Sequence, residues 1–240
     1  MNMCSQYEIT AKPIEIMRCW TDKEWLNPTL DLFSSTIYPF QNGLVITTAM
    51  RDELFKLSLM NYSLIPHWSK NSRPKFTSYN ARLDRYSNTT PSQLEKIYQA
   101  PTWKLPFQRQ RCIVPLNSFI ESCHMGSHNG NLVKFSNHDN SLILAAGLYD
   151  RWLNPQTKQV IESFAIITDE PTQFLLDIGH DRQPLFLTPE DCLLWLDYDK
   201  LPVIKAYDFL KQKQTKLDYK VEIVRPLKQA VISEQQLSLF

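Results

Sequence analysis

Cys4 has a position that gives it chemistry closed to an internal cysteine. If the residues before it are removed, its amine and thiol form a 1,2-aminothiol. Such a group condenses with an aldehyde: the amine gives a Schiff base, and the thiol closes it into a thiazolidine ring. Alternatively, the free amine could act as the base for an N-terminal nucleophile. The ordinary alternative is a small apolar residue that packs or frays near the chain start.

Glu121 and His180 are candidates for proton transfer. Strand alternation places Phe119, Glu121 and Cys123 on one face. A carboxyl group beside apolar neighbours has a raised pKa and suits proton transfer, whereas a strand glutamate more commonly faces solvent. His180 opens a turn-rich segment in which Arg182 follows two residues later. The two side chains could bind one anionic group, or the loop could be purely structural.

Asn80 and Arg82 follow a basic stretch of the chain. Asn80 could bind a sugar or carbonyl oxygen while Arg82 binds a phosphate, although the Asn-Ala-Arg tripeptide alone carries little information. Four potential metal ligands lie near one another in a polar loop region, but their spacing matches no structural zinc pattern. We therefore predict no metal site from Cys123, His124, His128 and His138.

The positive charge of the chain is concentrated in one segment. The formal net charge is only +1, yet residues 70–111 hold nine Lys and Arg against two acidic residues, which leaves a net −6 elsewhere. A basic patch on an acidic body attracts a phosphate backbone locally. The alternative is a solvated loop region whose charges never share one face.

Composition excludes several classes of protein. Hydrophobic residues make up 43% and charged residues 21% of the 240 residues, which is ordinary globular composition. The longest apolar run, 142–148, is too short to span a membrane, and the first residues do not form a secretory signal. Five irregularly spaced cysteines indicate reduced thiols rather than a disulfide framework. We expect a cytoplasmic protein.

Periodicity predicts many strands with helices interspersed irregularly. Thr-Pro pairs at 90–91 and 188–189 are typical of helix starts. The pattern favours a single mixed α+β domain over residues 1–240, with a mostly antiparallel strand core and peripheral helices. The predicted helices are 13–20 (with 25–26 after it), 93–98, 174–176, 193–196 and 203–213. The predicted strands are 44–48, 54–59, 112–115, 119–123, 132–135, 141–152, 160–168, 185–187 and 219–224.

Several short blocks, in order along nearly the whole chain, resemble the SOS response-associated peptidase family of abasic-site-shielding proteins. Each block is short, but their common order makes the resemblance specific. The blocks are Cys4, Ser-Leu-Ile-Pro-His-Trp at 63–68, Asn-Ala-Arg at 80–82, Arg-Cys-Ile-Val-Pro at 111–115, Phe-Ile-Glu at 119–121, Ala-Gly-Leu-Tyr at 146–149, Ser-Phe-Ala-Ile-Ile-Thr at 163–168, His-Asp-Arg-Gln-Pro at 180–184 and Leu-Trp-Leu at 194–196.

The resemblance implies binding of single-stranded DNA and covalent capture of its abasic sites. It makes Cys4 the nucleophile, Asn80 the residue that orients the sugar or the cysteine, Glu121 a proton relay, and His180 an aid to ring opening and reversal. It further implies self-cleavage before the cysteine and no metal or organic cofactor. Its implied DNA contacts are Arg82 and Arg182 on flanking phosphates and Trp68 against bases. From the basic stretch we add Lys70, Arg73 and Lys75 as DNA contacts, and we expect no membrane partner and a monomer.

The start of the chain departs from the family pattern. The family usually begins Met-Cys-Gly-Arg, whereas here three residues precede Cys4, and Ser-Gln replaces Gly-Arg. An internal cysteine cannot form a thiazolidine, so we expect translation from Met3 or self-cleavage of the first three residues. The usual Gly-Phe-Tyr-Glu-Trp reads Ser-Phe-Ile-Glu-Ser at 118–122. Two alternatives remain open: a cysteine peptidase acting on itself or other chains, and a degenerate member that binds DNA only non-covalently.

Overall fold

The computed structural model describes residues 6–26, 35–49, 54–86, 94–213 and 215–227. Within these ranges the chain forms mostly strands, with short helices between them. The helices are α1 Pro13–Met17, α2 Lys104–Arg109, α3 Gln173–Ile178, α4 Pro189–Leu196 and α5 Val203–Gln212, with 3₁₀ turns at Arg18–Trp20 and Ile97–Gln99. The strands are β1 Gln6–Ile9, β2 Glu24–Leu26, β3 Ser35–Ile37, β4 Asn42–Ala49, β5 Leu54–Tyr62, β6 Asn80–Arg82, β7 Asp84–Tyr86, β8 Leu94–Lys96, β9 Arg111–Leu116, β10 Ser118–Cys123, β11 Asn131–Asn137, β12 Ile143–Leu153, β13 Val160–Asp169, β14 Gln183–Pro184 and β15 Tyr219–Pro226.

The larger sheet closes on itself. Its antiparallel neighbours run β13, β12, β9, β4, β5, and β5 then pairs in parallel with β13 through Asn61 and Ser163. All six residues of β9 are buried, as are the first six of β12. Strands buried on both faces explain why these segments are continuous apolar runs rather than alternating patterns.

A second, fully antiparallel sheet has the order β15-β11-β10-β1-β3. It continues directly from the first sheet because only Asn117 separates β9 from β10. In this sheet Gln6 lies opposite Ile120, and Tyr7 lies opposite Phe119. The Phe119 and Phe135 rings stack with centroids 5.0 Å apart, which packs the centre of the sheet. These neighbours bury β10, the strand that carries Glu121.

The predicted mixed fold with a mostly antiparallel core is confirmed. The Thr188 side chain accepts a hydrogen bond from the Asp191 backbone at 3.1 Å, so α4 begins as its Thr-Pro signal predicts. The helices predicted at 174–176 and 203–213 are also present, as α3 and α5. In the described residues, no helix has the length and apolar character needed to cross a membrane.

The helix predicted at 93–98 is wrong. Its first residue lies outside the described ranges, and the rest forms β8 followed by a 3₁₀ turn. Strand β8 pairs with β7, where Arg85 and Glu95 form a 2.6 Å ion pair, and the Ile97 N–H donates to the Leu83 carbonyl. Tertiary pairing therefore overrides the local helix signal. Likewise, residues 25–26 belong to strand β2.

Candidate active site

Glu121 lies in the middle of the second sheet and is fully buried. Strand β10 runs between β1 and β11, and Glu121 pairs in register with Val133. The solvent-facing alternative for this glutamate is therefore wrong. Among the residues that the structure describes, no donor forms a hydrogen bond to either carboxylate oxygen. Burying a carboxylate without hydrogen bonds is costly unless an opposite charge compensates it.

His180 lies directly against this carboxylate. Its Nε2 lies 3.4 Å from Glu121 Oε1, and only 3% of the residue is exposed. Burial lowers the His180 pKa and is the largest single influence, but the combined opposing effects outweigh it. These are the charge and contact of Glu121, the charge of Asp181 and the Ser122 backbone, and the net result is a raised pKa. His180 therefore keeps its proton to a higher pH than a free imidazole would, at a position screened from solvent.

The end of helix α3 fixes where His180 stands. Gly179 ends the helix in a left-handed conformation (φ 119°), and the His180 N–H donates to the Leu175 carbonyl at 2.9 Å. The hairpin between β10 and β11 then caps the helix, because the Ser127 and His128 N–H groups donate to the carbonyls of residues 177 and 178. A Cβ at Gly179 would overlap the Met125 carbonyl oxygen. The hairpin that follows Glu121 thus positions His180.

Asn80 and Arg82 lie on β6, which pairs in parallel with β13. Thr168 is the common neighbour: Arg82 pairs with it on one side, and Pro184 of β14 pairs with it on the other. Burial lowers the Arg82 pKa, and repulsion from the Arg182 guanidinium lowers it further. Strand β13 therefore brings the Asn-Ala-Arg block to the His-Asp-Arg-Gln-Pro block. Two guanidinium groups close to each other suit one doubly negative or two adjacent anionic groups.

Trp68 lies on an exposed loop that side chains of strand β12 anchor through hydrogen bonds. Its side chain is 49% exposed. The Asp150 carboxylate accepts from the His67 N–H at 2.8 Å, and the Trp152 Nε1–H donates to the Ser69 carbonyl at 2.7 Å. Both anchoring side chains come from β12, so the loop has a rigid base. The basic residues of this loop that were predicted to contact DNA are all exposed: Lys70, Arg73 and Lys75.

The remaining candidate nucleophiles and metal ligands differ in what the structure describes of them. Cys4, the predicted nucleophile, lies outside the described residues. Burial, assisted by the Glu121 charge, raises the pKa of Cys123 to about 11, so this neighbouring thiol stays protonated at neutral pH. Within the described ranges, no three His, Cys, Asp or Glu side chains group as metal ligands.

The sequence as a whole matches a known family. The model of the family described as SOS response associated peptidase (SRAP) matches residues 3–231. The chain belongs to the SRAP family. It is similar to the abasic site processing protein YoqW of Bacillus subtilis, with 26% identity over 81% of this chain and 80% of YoqW. It is also similar to the abasic site processing protein YoaM of the same organism, with 30% identity over 68% of this chain and 66% of YoaM.

The SRAP fold of this chain has solved counterparts. A crystal structure of a protein from Bacteroides thetaiotaomicron superposes with a TM-score of 0.70 and 24% identity, over 92% of both chains. A phage-related protein from Bordetella bronchiseptica superposes with a TM-score of 0.64 and 22% identity, over 95% of this chain and 96% of that one. At these identities the likeness establishes the fold.

One basic residue of the charged segment 70–111, Arg111, is buried inside this SRAP chain. Arg111 is 3% exposed, and its guanidinium lies 4.7 Å from the Trp195 ring centroid. Its Nε–H and Nη1–H donate to the carbonyls of Phe107 and Trp195. Burial lowers the Arg111 pKa to about 10, against the opposing attraction of Asp197. Arg111 is thus a core residue that the charge count alone assigns wrongly to a basic patch.

Sequence reasoning missed the hairpin that caps α3. The sequence signal for this contact was the pair of glycines, Gly126 and Gly179. Both adopt positive φ, and each lies against the backbone of the segment that holds the other. A Cβ at Gly126 would lie 2.5 Å from the Asp177 carbonyl oxygen. Glycine at both positions permits an approach that no other residue allows.

Proposed function

We propose that this SRAP-family chain binds single-stranded DNA and captures abasic sites covalently through Cys4. The observation that carries the proposal is the buried Glu121–His180 pair, whose carboxylate has no hydrogen-bond partner among the described residues. The names of the relatives YoqW and YoaM, abasic site processing proteins, support the substrate class. A paired acid and base away from water suits the proton transfers of imine chemistry.

The chain path supports a role for Cys4 at this pair. Only Ser5 separates Cys4 from Gln6, and Gln6 lies opposite Ile120, the residue next to Glu121. Two residues of chain span at most about 7 Å. We propose that this short connection lets Cys4 act together with Glu121 and His180.

The proposed reaction releases one water and needs no oxidant. The neutral Cys4 amine attacks the C1′ aldehyde of the ring-opened sugar, and the carbinolamine oxygen leaves as water after receiving a proton from the Glu121–His180 pair. The Cys4 sulfur then adds to C1′ of the resulting protonated imine, and the thiol proton returns to the Glu121–His180 pair, which leaves a neutral thiazolidine ring. Asn80 orients the sugar oxygen or the cysteine. Reversal uses the same proton transfers in the opposite order.

A free amine at Cys4 requires removal of the first three residues. We propose that self-cleavage supplies it when translation begins at Met1: one water hydrolyses the Met3–Cys4 peptide bond, giving a carboxylate on Met3 and the amine of Cys4. Glu121 accepts the proton of the attacking group, and His180 supplies one to the leaving nitrogen. Translation from Met3 gives the same product through ordinary removal of the initiator methionine.

DNA binding follows from two groups of side chains. Arg82 and Arg182 bind the phosphates that flank the abasic sugar, since a close guanidinium pair suits adjacent phosphates. Trp68 stacks against a base, and Lys70, Arg73 and Lys75 neutralise the backbone beyond it. These contacts are independent of sequence, as capture of damage at any position requires.

The test is a denaturing gel with an abasic oligonucleotide, run on chains that start at Met1 and at Met3. Intact mass first establishes which preparations carry Cys4 as the N-terminal residue. We expect a slow-migrating band from those preparations, no band after Cys4→Ala, and no band with a tetrahydrofuran site that lacks the aldehyde. Absence of the band from a chain with verified N-terminal Cys4 would overturn the proposal.

A further inference from the structure

Phe40 adopts a backbone conformation that a bulky residue rarely occupies. Its φ is 71°, in the left-handed region, and its side chain is 45% exposed. Such a conformation is strained for a side chain of this size. A glycine would fit the same turn without strain, and the exposed ring recovers little of the cost by burial. Stability of the fold therefore does not explain why a phenylalanine occupies this position.

Backbone hydrogen bonds hold the turn in this conformation. The Phe40 N–H donates to the Tyr62 carbonyl at 2.7 Å, and the Tyr62 N–H donates to the Gln41 carbonyl at 2.7 Å. The Asn61 side-chain amide donates to the Phe40 carbonyl at 2.8 Å. The end of β5 thus fixes the backbone on both sides of Phe40 and directs an aromatic ring outward on a rigid support.

Arg73 connects this ring to the loop of Trp68. The Arg73 guanidinium carbon lies 5.2 Å from the Phe40 ring centroid, a cation–π contact. Arg73 itself is exposed, and Trp68, Lys70 and Lys75 belong to the same loop. Exposed aromatic rings interleaved with basic side chains are what a surface for unpaired nucleic acid requires. In the described part of this loop and turn, no acidic residue occurs between 66 and 77 or between 38 and 41.

We propose that Phe40 is a base-stacking residue of the DNA-binding surface and that Arg73, stacked on its ring, binds the adjacent phosphate. The inference rests on the proposed function for the identity of the partner, single-stranded DNA, but not for the covalent step. It adds a second aromatic contact to Trp68 and extends the bound strand to the turn before β4. The strained backbone conformation of Phe40 is retained because its ring contributes to DNA binding.

The experiment compares Phe40→Gly, Phe40→Trp and the wild-type chain in binding an undamaged single-stranded oligonucleotide, with thermal unfolding measured in parallel. Phe40→Gly relieves the strain and removes the ring, so we expect affinity to fall at least about 5-fold, with an unfolding temperature equal to or up to about 4 °C above wild type. Phe40→Trp keeps a stacking ring, so we expect affinity within about twofold of wild type.

Asn140→Gly is the matched control. Asn140 is exposed and also has a positive φ, 56°, in the turn between β11 and β12. Asn140→Gly places a glycine at a positive-φ position, as Phe40→Gly does, but removes no aromatic ring. We expect no change in DNA affinity. Wild-type affinity in Phe40→Gly would overturn the inference, as would a lowered unfolding temperature with affinity intact, because that result would make the Phe40–Arg73 contact structural.

The two proposals fail in different ways. A wild-type chain that binds the undamaged strand and loses affinity on Phe40→Gly, but gives no band with the abasic oligonucleotide, would overturn covalent capture and support the stacking role. A band of wild-type yield with unchanged affinity in Phe40→Gly would support capture and overturn the stacking role. A chain without affinity for single-stranded DNA would overturn both.

Discussion

His180 Nε2 and Glu121 Oε1 lie 3.4 Å apart inside the protein, although one residue follows a helix and the other lies in the middle of a strand. Neither side chain has more than 4% of its area exposed. The charge and contact of Glu121 raise the pKa of His180 despite the burial of the imidazole.

Glu121→Gln keeps the shape of the side chain and removes its negative charge. We expect the rate of capture of an abasic oligonucleotide to fall by about 10²- to 10⁴-fold, the usual contribution of a positioned acid or base. Affinity for the undamaged strand should change less than about twofold, because Glu121 is buried away from phosphate contacts. Single-turnover gel kinetics at saturating DNA measure the first quantity, and anisotropy measures the second. Equal loss of both would contradict a role in proton transfer.

The raised His180 pKa predicts a pH dependence of stability. A group whose pKa is higher in the folded state adds stability that is fully present below its unfolded pKa, near 6.5, and is lost as pH rises through the folded pKa. Wild type should therefore lose unfolding free energy relative to His180→Gln as pH rises above about 6.5. Urea unfolding at several pH values between 6 and 9 measures the difference. A difference that grew with pH would contradict the sign.

Gly126→Ala and Gly130→Ala separate positioning of His180 from backbone strain. Both glycines have positive φ, but a Cβ at Gly126 would meet the backbone of residues 177–179, whereas a Cβ at Gly130 would meet nothing within 4 Å. Both variants should lose about 1–2 kcal/mol through the left-handed conformation. Only Gly126→Ala should also slow capture, at least about 10-fold, because it displaces the α3 cap. Equal capture rates in the two variants would refute the positioning role of the hairpin.

Arg82→Gln should weaken DNA binding through a lost phosphate contact. For a single strand, each neutralised phosphate contributes about 0.7 to the slope of log affinity against log salt. We therefore expect the slope to decrease by about 0.7, or more if the neighbouring Arg182 also leaves its position. Arg225→Gln, on the edge strand β15, is the matched control and should leave the slope unchanged. An unchanged slope in Arg82→Gln would remove Arg82 from the phosphate contacts.

Arg111→Met should affect folding rather than DNA. The variant removes two hydrogen bonds and the contact with the Trp195 ring from the core. We expect a loss of about 2–4 kcal/mol of unfolding free energy, with the salt slope of DNA binding unchanged because Arg111 is buried. Urea unfolding and binding at several salt concentrations measure the two. A reduced salt slope would return Arg111 to the binding surface.

The sequence predicted the positions of strands and helices better than it predicted which of their faces are buried. Alternation correctly grouped Phe119 and Glu121 on one face, but only the flanking strands β1 and β11 decide that this face is buried. The contact between Glu121 and His180 joins distant segments, so no local pattern reveals it. The family resemblance named both residues, and the structure adds that they touch.

Local signals failed where tertiary contacts compete with them. The Thr-Pro signal at 188–189 starts a helix because α4 packs its apolar face against β9 through Trp195. Residues 94–96, which follow the similar signal at 90–91, are extended because β7 and Leu83 provide backbone partners for this segment. Counting charges failed in the same way at Arg111, since a count carries no information on which side chains reach the surface.

Glu121 and His180, the acid and the base of the proposed mechanism, belong to different layers of the protein. His180 follows strand β13 of the closed sheet and helix α3, whereas Glu121 lies in the second sheet. The hairpin after β10 connects the two through its hydrogen bonds to the end of α3. The distance between the two side chains therefore depends on how the two sheets fit together. Under the proposed mechanism, a separation of the sheets by a few ångströms would stop proton transfer before either sheet lost its own hydrogen bonds.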